Sequence, residues 1–80
     1  MENLTNVLLN NGYKPCRNAK TYTMEQFILT KLKYIQQLNG FKVSESNHIQ
    51  VWHIKKINTY VIVEYLPNDQ VFVKVMIKTM

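Results

Sequence analysis

From Asn58 to Lys78 the chain alternates between apolar and mixed positions. Val61, Val63, Tyr65, Val71, Val73, Val75 and Ile77 take the odd positions, and a period of two marks a half-buried strand. The even positions are mixed: Tyr60, Ile62, Phe72 and Met76 stand among Glu64, Lys74 and Lys78. Leu66-Pro67-Asn68-Asp69-Gln70 reads as the turn between two strands, because Pro67 presets it and Asn68 or Asp69 tolerates a positive φ. A three-residue loop there pairs Val63 with Val73 and Val61 with Val75.

The same reasoning extends upstream. A turn at 56–58, with Asn58 left-handed, pairs Val51 with Val63 and Ile49 with Tyr65. A turn at 45–47 pairs Val43 with Ile49 and Phe41 with Val51. In this register every odd apolar residue shares one face. The other face then gathers Lys42, His48, Gln50, Trp52, Ile54, Tyr60, Ile62, Glu64, Phe72, Lys74, Met76 and Lys78.

Ahead of the strands the period changes. In "ENLTNVLLNNGY" Leu4, Val7 and Leu8 form an apolar stripe, Asn3 is placed to cap, and Gly12 stands where a left-handed helix end belongs. "YKPCRNAKTY", residues 13–22, reads as a basic connector in which Pro15 blocks a helix. From Thr23 a longer helix is expected. Thr23 and Gln26 form a capping box, Met24, Phe27, Ile28, Leu32, Tyr34, Ile35 and Leu38 fall within one arc, and Asn39-Gly40 ends it, with Phe41 packing back. Lys31 interrupts the apolar arc. The expectation is an α+β fold over a single domain, 1–80: two N-terminal helices followed by a three- to four-stranded antiparallel β-meander in two-layer packing.

Composition narrows the functional classes. The 80 residues are 46% apolar and 19% charged, which is globular rather than disordered. Ten Lys and Arg against five Asp and Glu give +5, a balance that favours polyanionic partners. Cys16 is the one cysteine, so no internal disulfide forms and a cytoplasmic setting is expected. No apolar run reaches the length of a membrane span, and the first residues lack a signal-peptide pattern. Nine Asn, nine Lys and seven Ile against one Ala and one Arg match AT-rich codons, as in a phage or other mobile element.

The second face therefore carries the functional expectation. Rings on a sheet stack bases while lysines neutralise phosphates. Trp52, Tyr60 and Phe72 are candidates for stacking. Lys42, Lys74 and Lys78 are candidates for phosphate, joined by Arg17 and Lys20 of the connector. The expected function is a small non-enzymatic protein that binds nucleic acid or a nucleic-acid-handling protein. A homodimer packed through this face is the alternative, and cover by the first helix is the structural one. No small-molecule substrate, cofactor, metal or catalytic residue is expected. His48 and His53 point to opposite faces of one strand, so they share no metal. His53, on the odd face, reads as a hydrogen-bonded core residue, and His48 diagonal to Glu64 reads as a surface pair. Both glycines read as helix ends rather than a phosphate loop.

Two helices before an antiparallel meander, with the stretch "TYVIVEY", resemble the small RelE-type ribosome-dependent RNases. The resemblance implies an RNase toxin as a third function. The chain departs from that pattern in having a single Arg and no strand before its first helix.

Overall fold

The computed structural model describes residues 4–16 and 19–78. In chain order it contains helix α1 (Leu4–Asn10), strands β1 (Tyr13–Pro15) and β2 (Lys20–Thr23), a continuous helix α2 over 24–37, and strands β3 (Phe41–Ser46), β4 (Ile49–Ile54), β5 (Thr59–Leu66) and β6 (Gln70–Lys78). The class is α+β with an antiparallel sheet. Two successive helices ahead of a three- to four-stranded meander do not form. α1 is seven residues long, the sheet has six strands, and two of them come from the expected connector. The helix–helix–meander order that carried the RNase resemblance is broken by those strands.

Tyr and Thr in 20–23 favour extended backbone. Pro15 is tolerated because its strand is an edge, with one side unpaired. β1 and β2 lie in line along one side of β6, with Tyr13 opposite Lys78 and Pro15 opposite Met76, then Lys20 opposite Val73 and Thr23 opposite Gln70. Just past β1 the Cys16 N–H donates to the Val75 carbonyl at 2.7 Å. The sheet order is β1/β2, β6, β5, β4, β3, so the last four strands form a meander and β3 is the opposite edge.

The β5–β6 hairpin has the expected register: Val63 pairs with Val73, Val61 with Val75, and Leu66 with Gln70 across a three-residue loop. Asn68 and Asp69 both adopt positive φ. The β4–β5 register is shifted by one. Gln50, not Val51, pairs with Val63, and Trp52 pairs with Val61. The connection is a 3-10 turn, Lys55–Ile57, closed by Asn58 at φ 49, which is one residue longer than the expected turn. Alternation in a strand is strict, so a one-residue slip turns all of β4 over. Trp52 and Ile54 now lie beneath α2, with Ile54 fully buried. Ile49, Val51 and His53 face the other way. This register puts Trp52 and Ile54, rather than His53, under the helix.

β3 meets β4 through a two-residue turn, Asn47-His48, with Asn47 at φ 50. A bulge at Val43 separates the Lys42–Trp52 pair from the Ser44–Val51 pair. The expected pairs Val43–Ile49 and Phe41–Val51 are absent. All of β3 is exposed, and Phe41 lies edge-on to His53 at 5.5 Å instead of packing back on the helix.

α2 begins as read. The Thr23 hydroxyl accepts from the Gln26 N–H at 3.1 Å, and the Gln26 side chain accepts from the Thr23 N–H at 3.2 Å. The Met24 N–H donates to the Asp69 carbonyl at 2.8 Å, which ties the helix start to the β5–β6 loop. Its middle, Phe27–Leu32, is π-helical. The wider turn moves side chains off the expected arc. Phe27 and Ile35 are buried, while Ile28, Leu29 and Tyr34 are exposed. The core between α2 and the sheet is Phe27, Ile35, Ile54, Val61, Val63, Val71 and Val73, each contributing roughly 1.5–3 kcal/mol on burial. α1 lies on the opposite face, where a groove is lined by Val7, Leu8, Val43, Val51 and Tyr60, and Leu8 and Met76 are buried. Gly12 ends α1 at φ 89, as its position implies. Asn3 and the Leu4 side chain lie outside the described part of the chain. No helix of the described residues is long and apolar enough to cross a membrane.

Candidate functional site

The expected stacking face is divided by the shifted register. Tyr60, Phe72, Lys74 and Lys78 remain on the face away from α2. Trp52, with Lys42 directly opposite it, is on the α2 face, where Trp52 packs against the core. Lys20 pairs with Val73 and so also belongs to the α2 face. Arg17 lies outside the described residues. The dimer expectation, which takes Trp52, Ile62 and Phe72 as neighbours, loses Trp52 for the same reason.

Of the candidate rings on the far face, Tyr60 already has aromatic partners, whereas Phe72 has none among the described residues. His53 stacks on Tyr60 with centroids 4.3 Å apart and planes 9° from parallel. Tyr13 meets Tyr60 edge-on at 5.1 Å, and Phe41 meets His53. Tyr13, Tyr60, His53 and Phe41 thus form a row across the sheet beside α1. A ring with one face covered and an edge engaged is a poor platform for a nucleobase. Contrary to expectation, the buried His53 Nε2 makes no hydrogen bond within the described residues, nor does the Trp52 Nε1.

Lys42 serves a different purpose. The bulge at Val43 puts Lys42 and Glu45, three residues apart, on one face, and their ion pair closes at 2.8 Å. In a regular strand they would point oppositely. Glu45 also accepts from Gln50 at 2.7 Å, and the Tyr65 hydroxyl donates to Gln50 at 2.9 Å. The Lys42 and Gln50 donors hold the Glu45 carboxyl below its ordinary range. Burial pushes the Tyr65 phenol up, with Glu45 adding to the shift. This chain of side chains braces the β3 edge. A bulge and a charged pair on an edge also discourage strand addition. Lys42–Glu45 is the only side-chain ion pair among the described residues, so the expected His48–Glu64 pair does not form. No three His, Cys, Asp or Glu side chains among the described residues converge as metal ligands.

The register brings a different set of cations together. Tyr13 pairs with Lys78 and Lys14 with Ile77. Thr59 pairs with Ile77, and the Lys78 N–H donates to the Asn58 carbonyl at 3.1 Å. Lys14, Lys78 and the Lys55–Ile57 turn therefore share one end of the sheet. Lys78 Nζ sits 5.7 Å from the Tyr13 ring centroid, which favours that end for its charge. The four acids of the described residues lie in the other half. Glu25 and Asp69 flank one groove at the β5–β6 loop, Glu64 pairs with Phe72, and Glu45 pairs with Gln50 beside the Asn47-His48 turn. The described acids thus lie away from one end, where Lys14, Lys55, Lys56 and Lys78 are unopposed; the other lysines, Lys20, Lys31, Lys33, Lys42 and Lys74, lie elsewhere on the helix and sheet.

Of these four, Lys78 is among the candidates read from sequence and Lys14 lies in the basic connector. Lys55 and Lys56 escape that reading. The signal for them is an adjacent lysine pair within a turn, since turn residues are solvent-facing and are carried by rigid strands. Comparison with known protein families, curated proteins and solved structures finds no match to this chain.

Proposed function

We propose that this chain is a small non-enzymatic binding protein that holds a nucleic-acid backbone against the lysine end of its sheet. The observation behind this reading is a cluster of cations clear of the acids: Lys14, Lys55, Lys56 and Lys78 lie at one end of the sheet, Lys14 and Lys78 on its two faces, while the four described acids lie in the opposite half. A polyanion approaching such a molecule is oriented by its field before contact. Lysines contact phosphates as point charges, which gives affinity without reading sequence. Base stacking does not enter this reading: Trp52 packs against the core and one face of the Tyr60 ring is covered by His53, which leaves Phe72 as the one candidate ring without a partner among the described residues. Duplex and single strand are both acceptable partners on this mechanism.

The test is fluorescence anisotropy of a labelled mixed-sequence oligonucleotide, as single strand and as duplex, at about 0.05 and 0.2 M salt, where exposed charges are progressively screened. Saturable binding that weakens steeply with salt and ignores sequence supports the reading. Absence of binding to both forms at the lower salt refutes it, and so does strong sequence preference.

A further inference from the structure

Between α2 and the sheet the packing leaves an apolar cavity of about 260 Å3, walled by Ile35, Ile54, Val61, Val73 and Val75 and by the half-buried Lys31. Lys31 is the only charged group of the described residues in that wall. It is also the residue that interrupts the apolar arc of the helix. Its Nζ lies 5.6 Å from the Tyr22 ring centroid. The cause of the cavity is physical. The sheet presents valines here, and the helix presents a lysine where a leucine or phenylalanine would fill the space. An ammonium group keeps to water or to a partner and leaves the apolar volume beside its stem unfilled. Cys16, Tyr34 and Thr59 also reach this wall, and concave apolar space with a few placed polar groups is the ordinary form of a small-molecule site.

We propose that this cavity takes a small amphipathic monoanion, an alkyl carboxylate whose chain enters among the valines while its carboxylate meets Lys31. At about 30 Å3 for a water-sized group, the volume suits about six to eight methylenes. The carboxylate is the complement of the lone cation in an otherwise neutral wall. This site is separate from the lysine end of the sheet, so it stands or falls independently of nucleic-acid binding.

The test is titration of the intact protein with butanoate, hexanoate, octanoate, octan-1-ol and octylammonium, followed by two-dimensional amide NMR. Affinity should rise about fourfold per added methylene until the cavity is full. Octanoate should bind more tightly than octanol, and octylammonium most weakly. Shifts should centre on Ile35, Val61 and Val75. Lys31→Met keeps the stem and removes the charge, so it should erase the preference for octanoate over octanol. Val75→Phe should fill the cavity and abolish binding of both. No saturable binding of octanoate below about 1 mM, a weak-ligand scale, overturns the proposal. Equal affinity for octylammonium overturns it, as do shifts confined to other surfaces. These three readouts come from the unmodified chain and hold even if a variant fails to fold.

Discussion

Replacing Gly40 by alanine tests the junction between α2 and the sheet. Gly40 follows Asn39, which takes the left-handed conformation at φ 59, and Gly40 donates its N–H to the Ile35 carbonyl at 2.8 Å. What demands glycine at position 40 is space rather than φ. A Cβ there would stand 2.5 Å from Ile35 Cγ2, 3.0 Å from the Ile35 carbonyl oxygen and 3.2 Å from Ile54 Cγ1. Ile35 and Ile54 are both fully buried, so neither side chain can swing into solvent to relieve the contact. Overpacking of this kind costs about 1–3 kcal/mol. The alanine also narrows the unfolded ensemble, which offsets about 0.4–1 kcal/mol. The net loss is between zero and about 2.6 kcal/mol by these two terms, toward the upper end because the closest contact is to a fully buried side chain. For a domain of this size that lowers Tm by up to roughly 20 °C. Circular dichroism melts of parent and Gly40→Ala measure it directly. A cycle with Ile35→Leu, which removes Cγ2, should show the alanine costing less in the second background. A Gly40→Ala protein that melts above the parent refutes the packing described at this junction.

The β4 register and the β3 edge are each open to test. Ile54→Val should cost about 0.5–1.5 kcal/mol, whereas Ile49→Val, at an exposed position, should stay within about 0.5 kcal/mol. Chemical denaturation that gives the reverse order supports the three-residue turn and places Ile49 under the helix. The Glu45 carboxyl should titrate below its ordinary range by NMR, because Lys42 and Gln50 donate to it, and Lys42→Ala should move it back up. A depressed folded pKa stabilises above the unfolded value and that stability disappears as pH falls through the folded one. An unchanged titration in the variant contradicts the ion pair.

Much of the fold is legible in the chain because several signals reinforce each other. The capping box at Thr23, the left-handed Gly12 and the loop at Pro67–Asp69 are local, and local chemistry decides them. The β5–β6 register follows from a loop whose length that chemistry sets. The β4–β5 register does not, since Lys55-Lys56-Ile57-Asn58 reads as a turn of either three or four residues. One residue of loop length decides which face Trp52 takes. The strands in 13–22 are hidden for another reason. Their pairing with β6 is a long-range contact, and a basic stretch broken by Pro15 reads locally as a connector. The candidate site is less legible than the fold, because it is assembled from even positions and depends on every turn at once. Lys78 survives because it sits in the one hairpin whose register local chemistry fixes.

If position rather than total charge makes the lysine end bind a polyanion, two double variants of equal charge should behave differently. The direct measurement is the slope of log affinity against log salt for each. Lys55→Ala with Lys56→Ala removes two cations from the lysine end. Lys20→Ala with Lys74→Ala removes two from elsewhere on the sheet. Removing one phosphate contact lowers the slope by about 0.7 on a single strand or about 0.9 on a duplex. The first variant should therefore flatten the slope by about 1.4 or about 1.8 respectively, and the second should leave it near that of the parent. Equal flattening by both variants would show generic attraction to a +5 protein and contradict a role for position.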